Sequence, residues 1–275
     1  MSDAVQISSE RVDDIPLIVE WLKQMQIVEW MDQELKQPHG NRKGLSYGQL
    51  SVLLLTYIMT QADHRLCGAE SWVTSHRQIL ELATGWGIGE KDATDDRLAR
   101  MVEEVGQAEE ACRQIEVNLG QHVIRAYELP TEVARADTTS FSVHHRSDES
   151  AEESLLRFGY SKDKRPDLLQ YRQLLGTLDP AGIPLVSATL PGNGADDPLY
   201  WPTWQQMAQV IGHKHFVFWQ IAKLPRLRPV LKLLQREESI VSCTHDGTTS
   251  VLAKTMGVQP TQSEYRDSSA DPRCE

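Results

Sequence analysis

The sequence predicts an α + α/β chain in which a helical N-terminal domain is followed by a mixed-sheet domain. Three observations carry this expectation. Apolar residues recur at helical spacing through the first 130 residues, the pattern turns strand-like after Leu129-Pro130, and a strand–turn–strand run around Asp179-Pro180-Ala181-Gly182 leads into a helix and a further strand. The boundaries that follow are 1–130 for the helical domain, 131–218 for the sheet domain, and 219–275 for a tail of different character.

Each element has its own signal. Pro16 opens the first helix, with Asp13 or Asp14 as N-cap and Leu17, Ile18, Trp21, Leu22 and Met25 at helical spacing. Pro38, His39, Gly40 and Asn41 form a loop. Ser46 with Gln49 reads as a capping box ahead of the apolar run from Leu50 to Met59, which is apolar nearly all round and so predicts a central buried helix. A helix over about Ser71 to Leu82 is stopped by Gly85, Gly87 and Gly89. Thr94, Asp95 and Asp96 then lead into Leu98, Met101, Val102 and Val105. A further helix from about Ala108 carries Ile115, Leu119, Val123 and Ile124.

The second part begins with Val133 to Val143, short, β-rich and partly alternating. Tyr171 to Leu178 and Pro184 to Leu190 are the two arms of a hairpin, ended by Pro191-Gly192-Asn193-Gly194. Thr203 to Val210 reads as a helix and His215 to Phe218 as the start of a fourth strand. After Trp219, Pro225 and Pro229 interrupt a basic and apolar run, and the end is polar and unpatterned, so this tail is not expected to join the sheet.

Composition narrows the function. The chain has 275 residues, 40% of them hydrophobic and 24% charged, which excludes collagen, coiled coil and wholesale disorder. With 28 Lys and Arg against 39 Asp and Glu, the net charge of −11 excludes a general polyanion binder; nucleic acid would be met through a local basic patch. The four cysteines form no CxxC pair and offer no zinc framework. The first residues lack the basic and apolar regions of a signal peptide, and no apolar stretch is long enough for a membrane span, so a cytoplasmic protein is expected.

Asp137 is the leading candidate for chemistry. It lies on a strand-like segment before Thr138, Thr139 and Ser140, and a carboxylate projecting from a strand is a platform for a divalent metal because the sheet fixes its direction. Residues 159–170 hold the densest positive charge in the chain. Lys162, Lys164, Arg165 and the nearby Arg172 are candidates to grip DNA phosphates, against the plainer reading of a solvated loop of mixed charge. His144 and His145 read as loop residues, Asp196 and Asp197 as a helix N-cap, and Tyr200, Trp201 and Trp204 as core.

Taken together these segments resemble the transposases of bacterial insertion sequences with an Asp-Asp-Glu, RNase H-like catalytic domain. The likeness runs in order through VDDIPLIVEWLKQM, HGNRKGLSYGQL, ADHRLCGAESWV, DATDDRLARMVEEVG, ARADTTSF and the long block FGYSKDKRPDLLQYRQLLGTLDPAGIPLVSATLPGNGADDPLY. The resemblance implies a helical domain ahead of a nuclease domain, with Asp137 as first catalytic carboxylate and metal ligand. It also implies two Mg²⁺ (or Mn²⁺) ions shared by three carboxylates, activating water and then a 3′-hydroxyl for attack on phosphates. The implied partner is the terminal inverted repeats of the element's DNA, with a possible homo-oligomer and no membrane.

The chain departs from that pattern at one place. The family has a second Asp after its fourth strand, in a context like Ala/Gly-Asp-Cys-Lys-x-Ala, whereas here Trp219-Gln220-Ile221-Ala222-Lys223 follows Phe218 without an acid. Codon degeneracy offers a reason. Read from the third base of the Trp219 codon, the following codons are GCA, RAT, HGC and NAA, which can spell Ala-Asp-Cys-Lys, and Leu224, Pro225 and Arg226 permit Ile-Ala-Ser next. A change of frame near residue 218 is therefore expected, with 219–275 an out-of-frame, poorly structured tail. The second Asp and the Glu are then missing, the fourth strand lacks its outer neighbour, and the chain is inactive as a nuclease. The alternative is a non-catalytic DNA- or partner-binding module, such as an inhibitor of the full-length transposase.

Overall fold

The structure is a computed structural model that describes residues 9–38, 44–144, 155–159, 165–221 and 240–243. The chain divides into two compact units: one holds residues 1–130 with Gln209–Gly212, the other Thr131–Ala208 with 213–275.

Seven helices make the first unit among its described residues: α1 (Ile15–Gln24), α2 (Ile27–Glu34), α3 (Tyr47–Gln61), α4 (Leu66–Ser75), α5 (Arg77–Thr84), α6 (Asp95–Gln107) and α7 (Glu109–Ala126). Helix α3 is the centre, with Leu50, Val52 and Leu53 fully buried and Thr56 beside them. Its start is held twice. Ser46 and Gln49 form a reciprocal capping box, and Asp32 of α2 accepts the Gly48 N–H at 2.7 Å, placing a carboxylate at the positive end of the helix. Gly48 is required there, because a Cβ would lie 2.5 Å from the Val28 carbonyl oxygen. Around α3 pack Ile15, Val19, Leu80, Ile88 and Leu98.

One helix is added to those the periodicity marks, and one is divided. The chain turns at Gln26, in the left-handed region (φ 56°), so α2 is a helix in its own right. The expected single helix over 71–82 is two, broken at His76. The Trp72 carbonyl accepts the His76 N–H at 3.0 Å and the Ser75 hydroxyl at 2.9 Å, and the His76 ring Nδ1 lies 2.9 Å from it. The first of these is the last bond of the α4 ladder; the Ser75 hydroxyl competes with it for the same oxygen, and the helix ends there.

The second unit is one mixed sheet with a helix. Its strands are β1 (Val133–Val143), β2 (Arg157–Phe158), β3 (Leu169–Leu178), β4 (Ile183–Pro191), β5 (Val217–Ile221) and β6 (Ile240–Cys243), and α8 (Tyr200–Ile211) follows a single 3₁₀ turn at Asp197–Leu199. Strand β1 is central. It pairs antiparallel with β3 and parallel with β5; β4 and the short β2 pair with β3, and β6 runs parallel outside β5. The parallel β1–β5 pair needs a crossover, which the β3–β4 hairpin and α8 supply.

Alternation sorts the two faces. Ala134, Ala136 and Thr138 of β1 are buried with Leu174 and Leu178 of β3 and Phe218 of β5. A Cβ on Gly176 would stand 2.9 Å from the Met207 sulfur, so the small residues of this face seat α8. The other face carries Arg135, Asp137 and Thr139, and there Phe141, Leu175 and Trp219 are 45%, 43% and 39% exposed.

The expectation that β5 lacks an outer neighbour is corrected: Ile240–Cys243 occupies that place as β6. Strand pairing is made by backbone groups, so an open edge accepts any β-branched apolar run of suitable length. The rest of the tail, 222–239 and 244–275, lies outside the described residues.

Candidate functional site

Asp137 sits mid-strand on β1, on the open face of the sheet, and its Oδ1 accepts the Thr138 N–H at 2.8 Å. On one side its partner is Leu175 of β3. On the other, β5 runs parallel, pairing Arg135 with Trp219 and Ala136 with Gln220. Among the described residues paired around it, Asp137 is one carboxylate where two metal ions would need several. Among the described residues no cluster of three or more His, Cys, Asp or Glu side chains is arranged to hold a metal ion.

Behind Asp137, on the α8 side, lies a polar network that the sequence did not reveal. The Thr138 hydroxyl donates to Asp196 Oδ1 at 2.9 Å, and Arg172 Nη1 donates to the same oxygen at 2.6 Å. Arg172 Nε also donates to the Pro191 carbonyl at 3.0 Å, and Gln170 Nε2 to that of Gly192 at 3.1 Å. The loop 191–196 is thus pinned onto β3 by two side chains of that strand. Its glycines permit the close approach: a Cβ on Gly192 would lie 2.0 Å from the Gln170 carbonyl oxygen, and one on Gly194 2.2 Å from Arg172 Nη2. The signal in the sequence was alternation. Thr138 shares a face with Ala134 and Ala136, and Arg172 with Leu174 and Leu178, so both are polar side chains at buried positions.

The candidate phosphate contacts fall into different settings. Lys162 and Lys164 lie outside the described residues, as does His145. Arg165 is half exposed and forked onto Asp167, at 2.9 and 2.8 Å, and this guanidinium holds the Asp167 carboxyl down at about 2. Arg172 is 7% exposed and directed at Asp196, not at the outer surface. Asp196 itself precedes the 3₁₀ turn in αR geometry, but its side chain makes no cap hydrogen bond, which corrects the N-cap reading: the buried guanidinium and the Thr138 hydroxyl draw the carboxylate instead. His144 is exposed at the end of β1. Trp204 is core, stacked at 5.0 Å on the half-buried Trp201 and at 5.9 Å on Phe216.

Among the described residues no helix is long and apolar enough to cross a membrane. No protein-family model matches the sequence, and no curated protein is significantly similar to it.

Proposed function

We propose that this chain is by descent a transposase of a bacterial insertion sequence, of the Asp-Asp-Glu class with an RNase H-like domain. In this reading its frame changes near residue 218, so that it keeps the first catalytic carboxylate, Asp137, and lacks the second. The observation that carries the reading is the register of β1 on β5. The alternative frame can spell Ala-Asp at codons 219–221, and the pairing of Ala136 with Gln220, carried on by one residue, sets position 221 next to Asp137.

Register also discriminates between the two frame changes that produce this spelling. A net loss of one base places the ancestral Ala at 220 and Asp at 221, on the face of Asp137. A net gain of two bases places the Asp at 220, on the face with Phe218, which is buried. Two carboxylates share a metal only from one face, so the reading specifies the loss of a base. Divalent metal, DNA ends as partner, and strand cleavage belong to the frame-restored protein. A single carboxylate does not hold two metal ions.

The nucleotide sequence through codons 210 to 230 and the kilobase beyond tests this. The expected result is GCA-GAT-TGC-AAA in the shifted frame, followed by coding for a Glu-bearing helix, with the frame-restored protein cutting DNA that carries the element's ends. Bases that do not spell Ala-Asp-Cys-Lys overturn the reading, and a non-catalytic DNA- or partner-binding module takes its place.

A further inference from the structure

Three aromatic rings from three neighbouring strands share the open face of the sheet. Phe141 of β1 pairs with Tyr171 of β3, and their rings are stacked, with 5.2 Å between centroids and 17° between planes. Phe158 of β2 pairs with Leu169, two residues before Tyr171, and so stands on the same face. Strand spacing and the rise of two residues set the Phe158 and Tyr171 backbones about 8 Å apart. Phe158 is 56% exposed and Phe141 45%, while α8 packs against Gly176 on the opposite face. Polar side chains border the rings: Thr139 pairs with Gln173, whose Oε1 accepts the Thr189 hydroxyl at 2.9 Å, and this row separates the rings from the exposed Leu175. At the other border are two groups that can carry positive charge. Arg165 and, more weakly, the exposed His144 both lower the Asp167 carboxyl, so both lie near Asp167, two residues before Leu169.

The make-up of this stripe selects its occupant. Aromatic rings on an open sheet stack unpaired bases because every base has a π-face, and hydroxyl and amide groups beside them bond to base edges. In a duplex those faces are already stacked on one another. Affinity drawn from stacking also needs no broad basic surface, which suits a chain of net charge −11. We infer that the stripe is a platform for the unpaired nucleobases of a single strand: Phe141 and Phe158 each take a base, Tyr171 backs Phe141, and Arg165 and His144 border the path of the phosphates. The inference goes beyond the descent proposed above and does not depend on it, since all these residues precede position 218 and no metal enters.

The experiment uses the full chain and a fluorescein-labelled oligodeoxythymidylate of about 12 nucleotides, with binding read by fluorescence anisotropy. Oligouridylate of the same length is the second arm, and the tighter of the two decides whether the strand is DNA or RNA. Phe141→Ala and Phe158→Ala are each expected to weaken binding about tenfold, within the range for loss of one base–aromatic stack, and Phe141→Tyr to bind as the parent does. Leu175→Ala, on the same face but off the stripe, is expected to change nothing, which separates stacking from a merely apolar surface. Thermal melts followed by circular dichroism confirm that each variant folds. The inference is overturned if neither strand binds, if duplex DNA binds as tightly, if the two Phe→Ala variants bind as the parent does, or if Leu175→Ala weakens binding as much as they do. Sedimentation runs alongside: a lower mass for Phe141→Ala with unchanged binding makes the stripe an interface between copies and overturns the platform. None of these outcomes touches the frame reading, which the nucleotide sequence decides separately.

Discussion

Arg172 Nη1 lies 2.6 Å from Asp196 Oδ1, an oxygen that also accepts the Thr138 hydroxyl, and the two partners are buried unequally: 8% of the Arg172 side chain is exposed against 44% of Asp196. The asymmetry decides what each deletion does. Without Asp196 the guanidinium is left buried and uncompensated, whereas without Arg172 the half-exposed carboxylate regains water.

Asp196→Ala is therefore expected to cost about 2 kcal/mol, the range for a buried donor left unsatisfied. Arg172→Met, of similar length and apolar, is expected to cost less. Urea unfolding of both variants checks the order; a larger loss for Arg172→Met contradicts it.

Glycines of the loop and of a helix behave oppositely under the same substitution. Gly192→Ala drives a Cβ to 2.0 Å from the Gln170 carbonyl oxygen, which cannot yield without moving β3, so a loss of about 2 kcal/mol is expected. Gly106 lies exposed inside α6 with nothing within 4 Å of its Cβ position, and Gly106→Ala is expected to stabilise by about 0.7 kcal/mol. Thermal melts of the two variants should move in opposite directions.

Acid should weaken the helical unit through two carboxylates. The Arg65 guanidinium, with the Arg65 N–H and the Tyr57 hydroxyl, holds the Asp63 carboxyl well below the usual range. The Ile88 N–H, then Arg77, lower that of Glu81. A carboxyl lower in the folded than in the unfolded state contributes stability above its unfolded value, near 4, and loses it as pH falls toward the folded one. Unfolding free energy should thus fall on going below pH 4, and the double variant Asp63→Asn, Glu81→Gln should show a shallower fall. An equal slope in both proteins would refute the assignment.

Binding to DNA, where it occurs, should depend on salt through the lysines of the loop. Each phosphate contact adds roughly one unit to the slope of log affinity against log salt, so replacing Lys162 and Lys164 by Gln should lower that slope by about 2. Arg172→Gln, directed inward at Asp196, should leave the slope unchanged. A lowered slope for Arg172→Gln would return it to the DNA surface.

Local patterns determined much of this protein from the sequence alone. The apolar run from Leu50 to Met59 marked the central helix because burial all round leaves no polar stripe, and Ser46 with Gln49 marked its start because capping is a contact between neighbours. The Asp179-to-Gly182 turn marked the hairpin for the same reason: its signal lies within a few residues. What only the tertiary structure decided were relations between distant residues. That Ala136 pairs with Gln220 depends on the parallel register of β1 and β5, which no local spacing encodes. That β6 joins the sheet depends on backbone hydrogen bonds, which carry no signature in side chains. That Asp196 serves Thr138 and Arg172 instead of capping a helix depends on a buried charge 24 residues away, whose need for a partner outweighs the gain from a cap on a single exposed turn.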